Sequence, residues 1–73
     1  MAESVVVIQR NGGSYVKGAR VVLGFSNGTT DSVYTDSDGE AVISHSTTGK
    51  ATIYIDGKDK GSMTAPGKKH VFI

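Results

Sequence analysis

The acidic segment 36–39, Asp-Ser-Asp-Gly, is the part of the sequence closest to a metal-binding pattern. A complete EF-hand loop has acidic residues at positions one, three and five, glycine at six and glutamate at twelve. With the glycine at position six, Tyr34 falls at position one and His45 at position twelve, and neither fits. A structural turn is the better interpretation, and a weak cation site is the alternative. The turn residues are Asp36, which accepts backbone hydrogen bonds, Asp38, and Gly39, which takes a positive φ.

The two histidines are the only imidazoles that could bind a metal or act as a base. No sequence spacing brings His45 and His70 together. Ser44 and Ser46 flank His45, but adjacent strand residues point to opposite faces, so they cannot form a nucleophile–base pair with it. The absence of cysteine excludes thiolate metal sites and disulfides. We therefore predict no catalytic residue, no metal and no cofactor, and the chain is not expected to be an enzyme.

The three tyrosines are the candidate binding surface, because aromatic rings are enriched where proteins contact other molecules. Tyr54 points outward if Ile53 and Ile55 point into the core, since neighbouring strand residues face opposite sides. The alternative is that each ring covers a sheet face and keeps its hydroxyl group in water. The candidate residues are Tyr15, Tyr34 and Tyr54.

The charge pattern favours neither nucleic acid nor a membrane as the partner. The formal net charge is +1 and both signs are spread along the chain, so no basic patch is available for phosphates or anionic lipids. The longest apolar run, residues 5–8, is far too short for a transmembrane helix or a signal-peptide core. We expect no membrane insertion and no export signal in the sequence as given, and the compartment stays open.

The apolar residues follow a period of two rather than 3.6, which indicates strands. Turn-forming residues recur about every ten positions, as in sandwiches and barrels with short strands. We therefore predict one all-β domain over residues 1–73, a small antiparallel sandwich, with Val21, Leu23, Ile43, Ile53 and Ile55 facing the core. About seven strands are predicted, at 4–10, 19–26, 29–35, 40–45, 50–55, 58–63 and 69–73.

Two dipeptides predict tight hairpins within this pattern. A two-residue type I′ turn needs positive φ at both central positions, which Asn, Asp and Gly tolerate best. We therefore expect one hairpin to turn at Asn27-Gly28 and to join two long strands, 20–26 and 29–36. A second hairpin is expected to turn at Asp56-Gly57.

Three blocks of the sequence resemble carboxypeptidase regulatory-like domains. They are the Gly turn and Gly-Ala step of 11–23, the Thr-Asp-x-x-Gly turn within 34–43, and the alternating strand 49–55. The chain differs from that family at Ala41 and Ala51, where the family more often has a large aromatic residue. The resemblance implies a prealbumin-like, or Ig-like, seven-stranded sandwich that serves as an accessory, spacer or ligand-contacting module. It supplies no catalytic residue.

Two functions are compatible with these features. The first is a non-catalytic structural or protein-interaction module, a spacer, assembly or decoration domain whose partner is another protein. The absence of catalytic residues and the exposed strand edges favour it. The apolar C-terminal residues 71–73 also predict a final strand that pairs in a sheet, either its own or a partner's. The second is a module that binds carbohydrate or another small ligand through outward tyrosines and polar loop residues such as Asn27, Asp31 and Asp56. The sequence names no partner, ligand or oligomeric state.

Overall fold

The computed structural model describes residues 2–73, and within that range all regular structure is β. The all-β prediction is confirmed. The eight strands are β1 (Ala2–Gln9), β2 (Arg20–Phe25), β3 (Gly28–Thr29), β4 (Val33–Tyr34), β5 (Glu40–His45), β6 (Gly49–Ile55), β7 (Lys58–Ala65) and β8 (Lys68–Phe72).

The strands form two sheets of a small sandwich. The three-stranded sheet has the order β5-β1-β8, and the five-stranded sheet has the order β3-β2-β6-β7, with β4 also paired to β2. All neighbours are antiparallel except β1 and β8, which run parallel with Val5 opposite Lys68. The predicted antiparallel sandwich is therefore correct apart from this pair. Period-two alternation marks a strand but carries no information on the direction of its neighbour.

The core lies between the two sheets and contains the inward residues of both. The five residues predicted to face it are each at most 2% exposed, which confirms the strand faces. Ala41 and Ala51 are buried beside them, each 1% exposed. The full core cluster is Val6, Ile8, Ala19, Val21, Leu23, Ala41, Ile43, Ala51, Ile53, Ile55, Met63 and Val71.

The hairpin between β6 and β7 has the predicted turn. Ile55 lies opposite Lys58, so Asp56 and Gly57 are the two loop residues. Their φ angles are +53° and +84°, the positive values that a type I′ turn requires. Local turn chemistry alone is sufficient to predict this hairpin.

The first hairpin differs from its prediction in two ways. Phe25 lies opposite Gly28, so the loop residues are Ser26 and Asn27 rather than Asn27-Gly28. The returning strand is also not continuous, because β3 and β4 are each two residues long. The hydroxyl group of Thr30 accepts the backbone N–H of Leu23 at 3.0 Å.

This hydrogen bond explains the interruption of the returning strand. A side-chain oxygen takes the place of a backbone carbonyl in the ladder, which makes room for an extra residue. Gly24 lies opposite Thr29, whereas Val21 lies opposite Val33, so the pairing register shifts by one residue between β3 and β4.

Candidate functional site

One side of the sandwich is open between β5 and the β2–β3 hairpin. A groove of about 300 Å³ lies there, with the rings of Phe25 and His45 among its lining residues. One wall is formed by residues 27–31 and the other by residues 44–47. Asn27 Nδ2 donates to Thr47 Oγ1 at 3.2 Å and so connects the two walls. Most of the lining side chains carry a hydroxyl, amide or carboxylate group, so the groove offers many hydrogen-bond partners.

His45 is held in a buried network that the sequence did not predict. Its Nδ1 lies 2.7 Å from the carbonyl oxygen of Thr47, which can only accept, so Nδ1 carries the proton. In the tautomer with its single proton on Nδ1, Nε2 accepts from the hydroxyl group of Ser4 at 2.7 Å. Ser4 Oγ also accepts the backbone N–H of Gly67 at 3.3 Å. The network joins the start of β1, the end of β5 and the β7–β8 turn.

This serine–histidine pair is not placed for catalysis. Ser4 is fully buried and His45 is 5% exposed, so a substrate cannot reach the hydroxyl oxygen. Ser44 and Ser46 are exposed, while His45 points inward, as expected for successive strand residues. A signal for Ser4 was available in the sequence, because it alternates with Val6 and Ile8. A hydroxyl group at such an inward position requires a buried hydrogen-bond partner.

The β5 edge borders the same groove. The backbone N–H of Glu40 donates to Asp36 Oδ1 at 3.0 Å. The carbonyl oxygen of Glu40 accepts the backbone N–H of Asp36, also at 3.0 Å. Both groups therefore point away from β1. Because backbone groups alternate sides along a strand, those of Val42 and Ser44 point the same way. Within residues 2–73, β5 pairs only with β1, so these peptide groups lie along a free edge.

The acidic segment 36–39 forms a tight turn before β5. Asp36 Oδ1 accepts the backbone N–H groups of Asp38 and Glu40 at 2.9 and 3.0 Å. Gly39 has a φ of +73°, and its carbonyl oxygen accepts the N–H of Ile8. Asp36 Oδ1, which a cation site would need as a ligand, thus already accepts two backbone hydrogen bonds. No cluster of three or more acidic, histidine or cysteine side chains suited to a metal occurs in residues 2–73.

The three tyrosines do not form one surface. Tyr34 lies opposite Arg20 and Tyr54 opposite Val22, so both are on the outer face of the five-stranded sheet. Tyr15 instead lines a cleft of about 220 Å³ on the outer face of the other sheet. Tyr15 and Tyr34 are 51% and 65% exposed. The chain therefore offers two separate aromatic regions.

The polar loop residues named with the tyrosines are also divided. Asn27 and Asp31 both line the groove beside β5. Asp56 lies at the other end of β2, where its Oδ1 accepts the backbone N–H of Arg20 at 3.2 Å. Asn27 and Asp31 thus lie in the same groove, and none of the three tyrosines lines it.

His70 lies on the outer face of the three-stranded sheet and shares no site with His45. Its Nε2 is 2.8 Å from Gln9 Oε1, and its ring stacks on Phe72 with centroids 5.2 Å apart. Strand β1 separates β5 from β8, and His45 faces inward while His70 is exposed. The structure therefore does not bring the two imidazoles together.

No protein family matches the chain, and no curated protein matches it. Among residues 2–73 there is no helix that is long and apolar enough to cross a bilayer.

Proposed function

We propose that the chain is a non-catalytic protein-interaction module, such as a spacer, assembly or decoration domain, and that it contacts its partner through the β5 edge. The observation that carries this proposal is the row of free peptide groups at Val42 and Ser44. An exposed edge of this kind can pair with another strand through backbone hydrogen bonds. Val42 adds an apolar side chain that is 49% exposed.

Each of the other sheet edges carries at least one feature that opposes strand pairing, and residues 41–45 of β5 carry none. Strand β7 begins Lys58, Asp59, Lys60 and then has Gly61 at a φ of +122°. Strand β8 begins Lys68-Lys69, and the β3/β4 edge is interrupted. Lysines, short strands and irregular backbone are the common devices that prevent edge pairing. Residues 41–45 contain no acidic residue, lysine, arginine or proline, so the β5 edge lacks them.

The likeness to carboxypeptidase regulatory-like domains supports the same function. Its three blocks fall on the segment that leads into β2, on the turn before β5 and on β6. Ala41 and Ala51, where the chain differs from the family, are both core positions. We infer a distant relationship in which small core residues have replaced aromatic ones, and such domains are largely accessory modules.

A photo-crosslinking residue at exposed position 44 tests the interaction surface. The chain is expressed in the cells from which it comes, with a control that carries the crosslinker at Ser62 on β7. We expect protein adducts at position 44 that are absent at position 62. A second change, Val42→Lys, should abolish these adducts, because a charge at the centre of the edge opposes strand pairing. The function proposal fails if position 44 yields no adduct that depends on Val42.

A carbohydrate-binding function is the second candidate, because Asn27 and Asp31 share the groove beside β5. Amide, carboxylate and hydroxyl groups can bond sugar hydroxyls, and the half-buried ring of Phe25 offers an apolar contact. This version of the hypothesis uses the groove and not the tyrosines.

An NMR titration with a panel of neutral mono- and oligosaccharides tests the second candidate. We expect backbone amide shifts in residues 27–31 and 44–47 and none on the Tyr34 and Tyr54 face. Asp31→Ala should abolish them, and Asp56→Ala, at the other end of β2, should not. Shifts that are confined to the tyrosine face would contradict binding in the groove.

A further inference from the structure

We propose that the β5 edge binds a second copy of this chain, with the two β5 strands antiparallel and related by a two-fold axis at Ile43. This inference rests on the proposed function and names the partner. The resulting sheet would have the order β8-β1-β5-β5-β1-β8 across the two copies. Symmetric pairing of identical edges is the simplest closed contact that a homodimer can make.

The available backbone groups determine the register. Glu40 has already used its outward N–H and carbonyl oxygen on Asp36, so it has none to exchange with a partner. The remaining outward groups within β5 belong to Val42 and Ser44. An axis at Ile43 places Val42 of each copy opposite Ser44 of the other, and both residues then exchange both of their hydrogen bonds. An axis at Val42 would instead oppose Ser44 to the occupied Glu40.

The side chains are compatible with this register. Ile43 faces its own copy in the second protomer, and Ala41 lies opposite His45, all on the buried side of the sheet. On the outer side, the exposed Val42 meets the short side chain of Ser44. Glu40 is the one charged residue of β5. In the antiparallel register, the Glu40 side chains of the two protomers lie at opposite ends of the paired strands. No like charges are therefore opposed.

The contact is small, so we expect a dimer that depends on concentration. Only the central residues of one strand pair, and small interfaces of this kind are typical of weak association. Sedimentation equilibrium should show the mass rising from 7.6 kDa toward twice that value as protein concentration increases. Val42→Lys should keep the chain monomeric over the same range. Ser62→Lys, which adds the same charge to β7, should leave the association unchanged.

Disulfide trapping tests the register directly, because the natural chain contains no cysteine. Opposite residues in a hydrogen-bonded antiparallel pair have Cα atoms about 5.5 Å apart, which a disulfide can span. A mixture of Val42→Cys and Ser44→Cys chains should therefore crosslink at least tenfold faster than either chain alone. Each variant alone places its cysteines on the diagonal, about 7–8 Å apart and too far for a bridge. Ser62→Cys is the control for random collision.

Each outcome separates this inference from the proposed function. Faster crosslinking of the mixture supports the dimer and its register. The inference is overturned if the mixture is no faster than the Ser62→Cys control. It is also overturned if the Val42→Cys chain or the Ser44→Cys chain crosslinks fastest with itself. If the chain stays monomeric while the crosslinker at position 44 captures a different protein, the second-copy inference fails and the interaction function stands. If position 44 captures neither, both fail.

Discussion

The ring of Tyr54 lies against Gly24 on the neighbouring strand. A Cβ atom added to Gly24 would come within 2.7 Å of Tyr54 Cε2, closer than carbon atoms approach in folded proteins. Gly24 sits inside β2 with a φ outside the positive region, so its backbone alone would accept alanine. The cross-strand ring is therefore the obstacle to a larger residue at this position, because it occupies the space beside Gly24.

Gly24→Ala should therefore be coupled to Tyr54. The ring must turn aside to admit a methyl group, and a side chain forced off a staggered rotamer costs about 0.5–1.5 kcal/mol. In a Tyr54→Ala background this strain disappears, so the same glycine change should be more favourable by a similar amount. A double-mutant cycle measured by urea unfolding gives the coupling energy. Simple additivity of the two changes would show that the ring does not restrict Gly24.

Gly39→Ala should destabilise the fold by at least about 1–2 kcal/mol, the cost of a left-handed backbone for an L-residue. The φ of Gly39 is +73°, and a Cβ there would lie 2.5 Å from the backbone oxygen of Ile8. A backbone atom cannot move aside as a side chain can, so the clash adds to the conformational cost.

Gly12→Ala is the matched control for Gly39. A Cβ at Gly12 meets no atom within 4 Å, and its φ is outside the positive region. This variant should be neutral or more stable by up to about 1 kcal/mol, because alanine restricts the unfolded chain. Equal stability of the two alanine variants in urea unfolding would contradict the turn geometry.

Ile53→Ala should cost about 2–5 kcal/mol, because it removes a fully buried side chain and leaves a cavity. Ile53 is 0% exposed in the centre of β6. Val42→Ala, on an exposed β5 position, should change the free energy of unfolding by no more than about 0.5 kcal/mol at low protein concentration. Thermal and urea denaturation of both variants provide the measurement. A small effect at position 53 would mean that the register of β6 is wrong.

Ser4→Ala should cost about 1–3 kcal/mol, because it leaves His45 Nε2 and the N–H of Gly67 without their buried partner. The double variant Ser4→Ala, His45→Leu should lose less unfolding free energy than the sum of the losses of the two single variants. Both ends of the hydrogen bond are then apolar, so neither end is a buried polar group without its partner. Nitrogen-15 NMR of the ring should also find the proton on Nδ1. A proton on Nε2 alone would contradict the assignment, because Nδ1 would then face the carbonyl oxygen of Thr47 with no proton to donate.

Calcium or zinc at millimolar concentration should change the melting temperature little. Asp36 Oδ1 already accepts two backbone N–H groups, so the turn 36–39 has no complete set of free oxygen ligands. Differential scanning calorimetry with and without each ion checks this. A rise of several degrees that Asp38→Asn abolishes would reinstate the cation site.

The amino-acid sequence by itself determined those features that depend on neighbouring residues. Alternation placed Ile53 and Ile55 on the core face, because successive side chains of a strand point to opposite sides. Asp56-Gly57 specified its own turn, because few other residues accept positive φ at both positions. The left-handed bend at Gly39 has the same local origin.

Only the tertiary structure decided which distant segments meet. Ser4 and His45 are 41 residues apart, and no local pattern pairs them. The tertiary structure also decided three other features: the parallel alignment of β1 with β8, the separation of the tyrosines and the free edge of β5. The physical reason is that every strand offers the same backbone donors and acceptors, so the sequence of one strand does not specify its neighbour. Which strands become neighbours depends on how all the apolar faces are buried together. The groove and the free edge of β5 result from that strand arrangement.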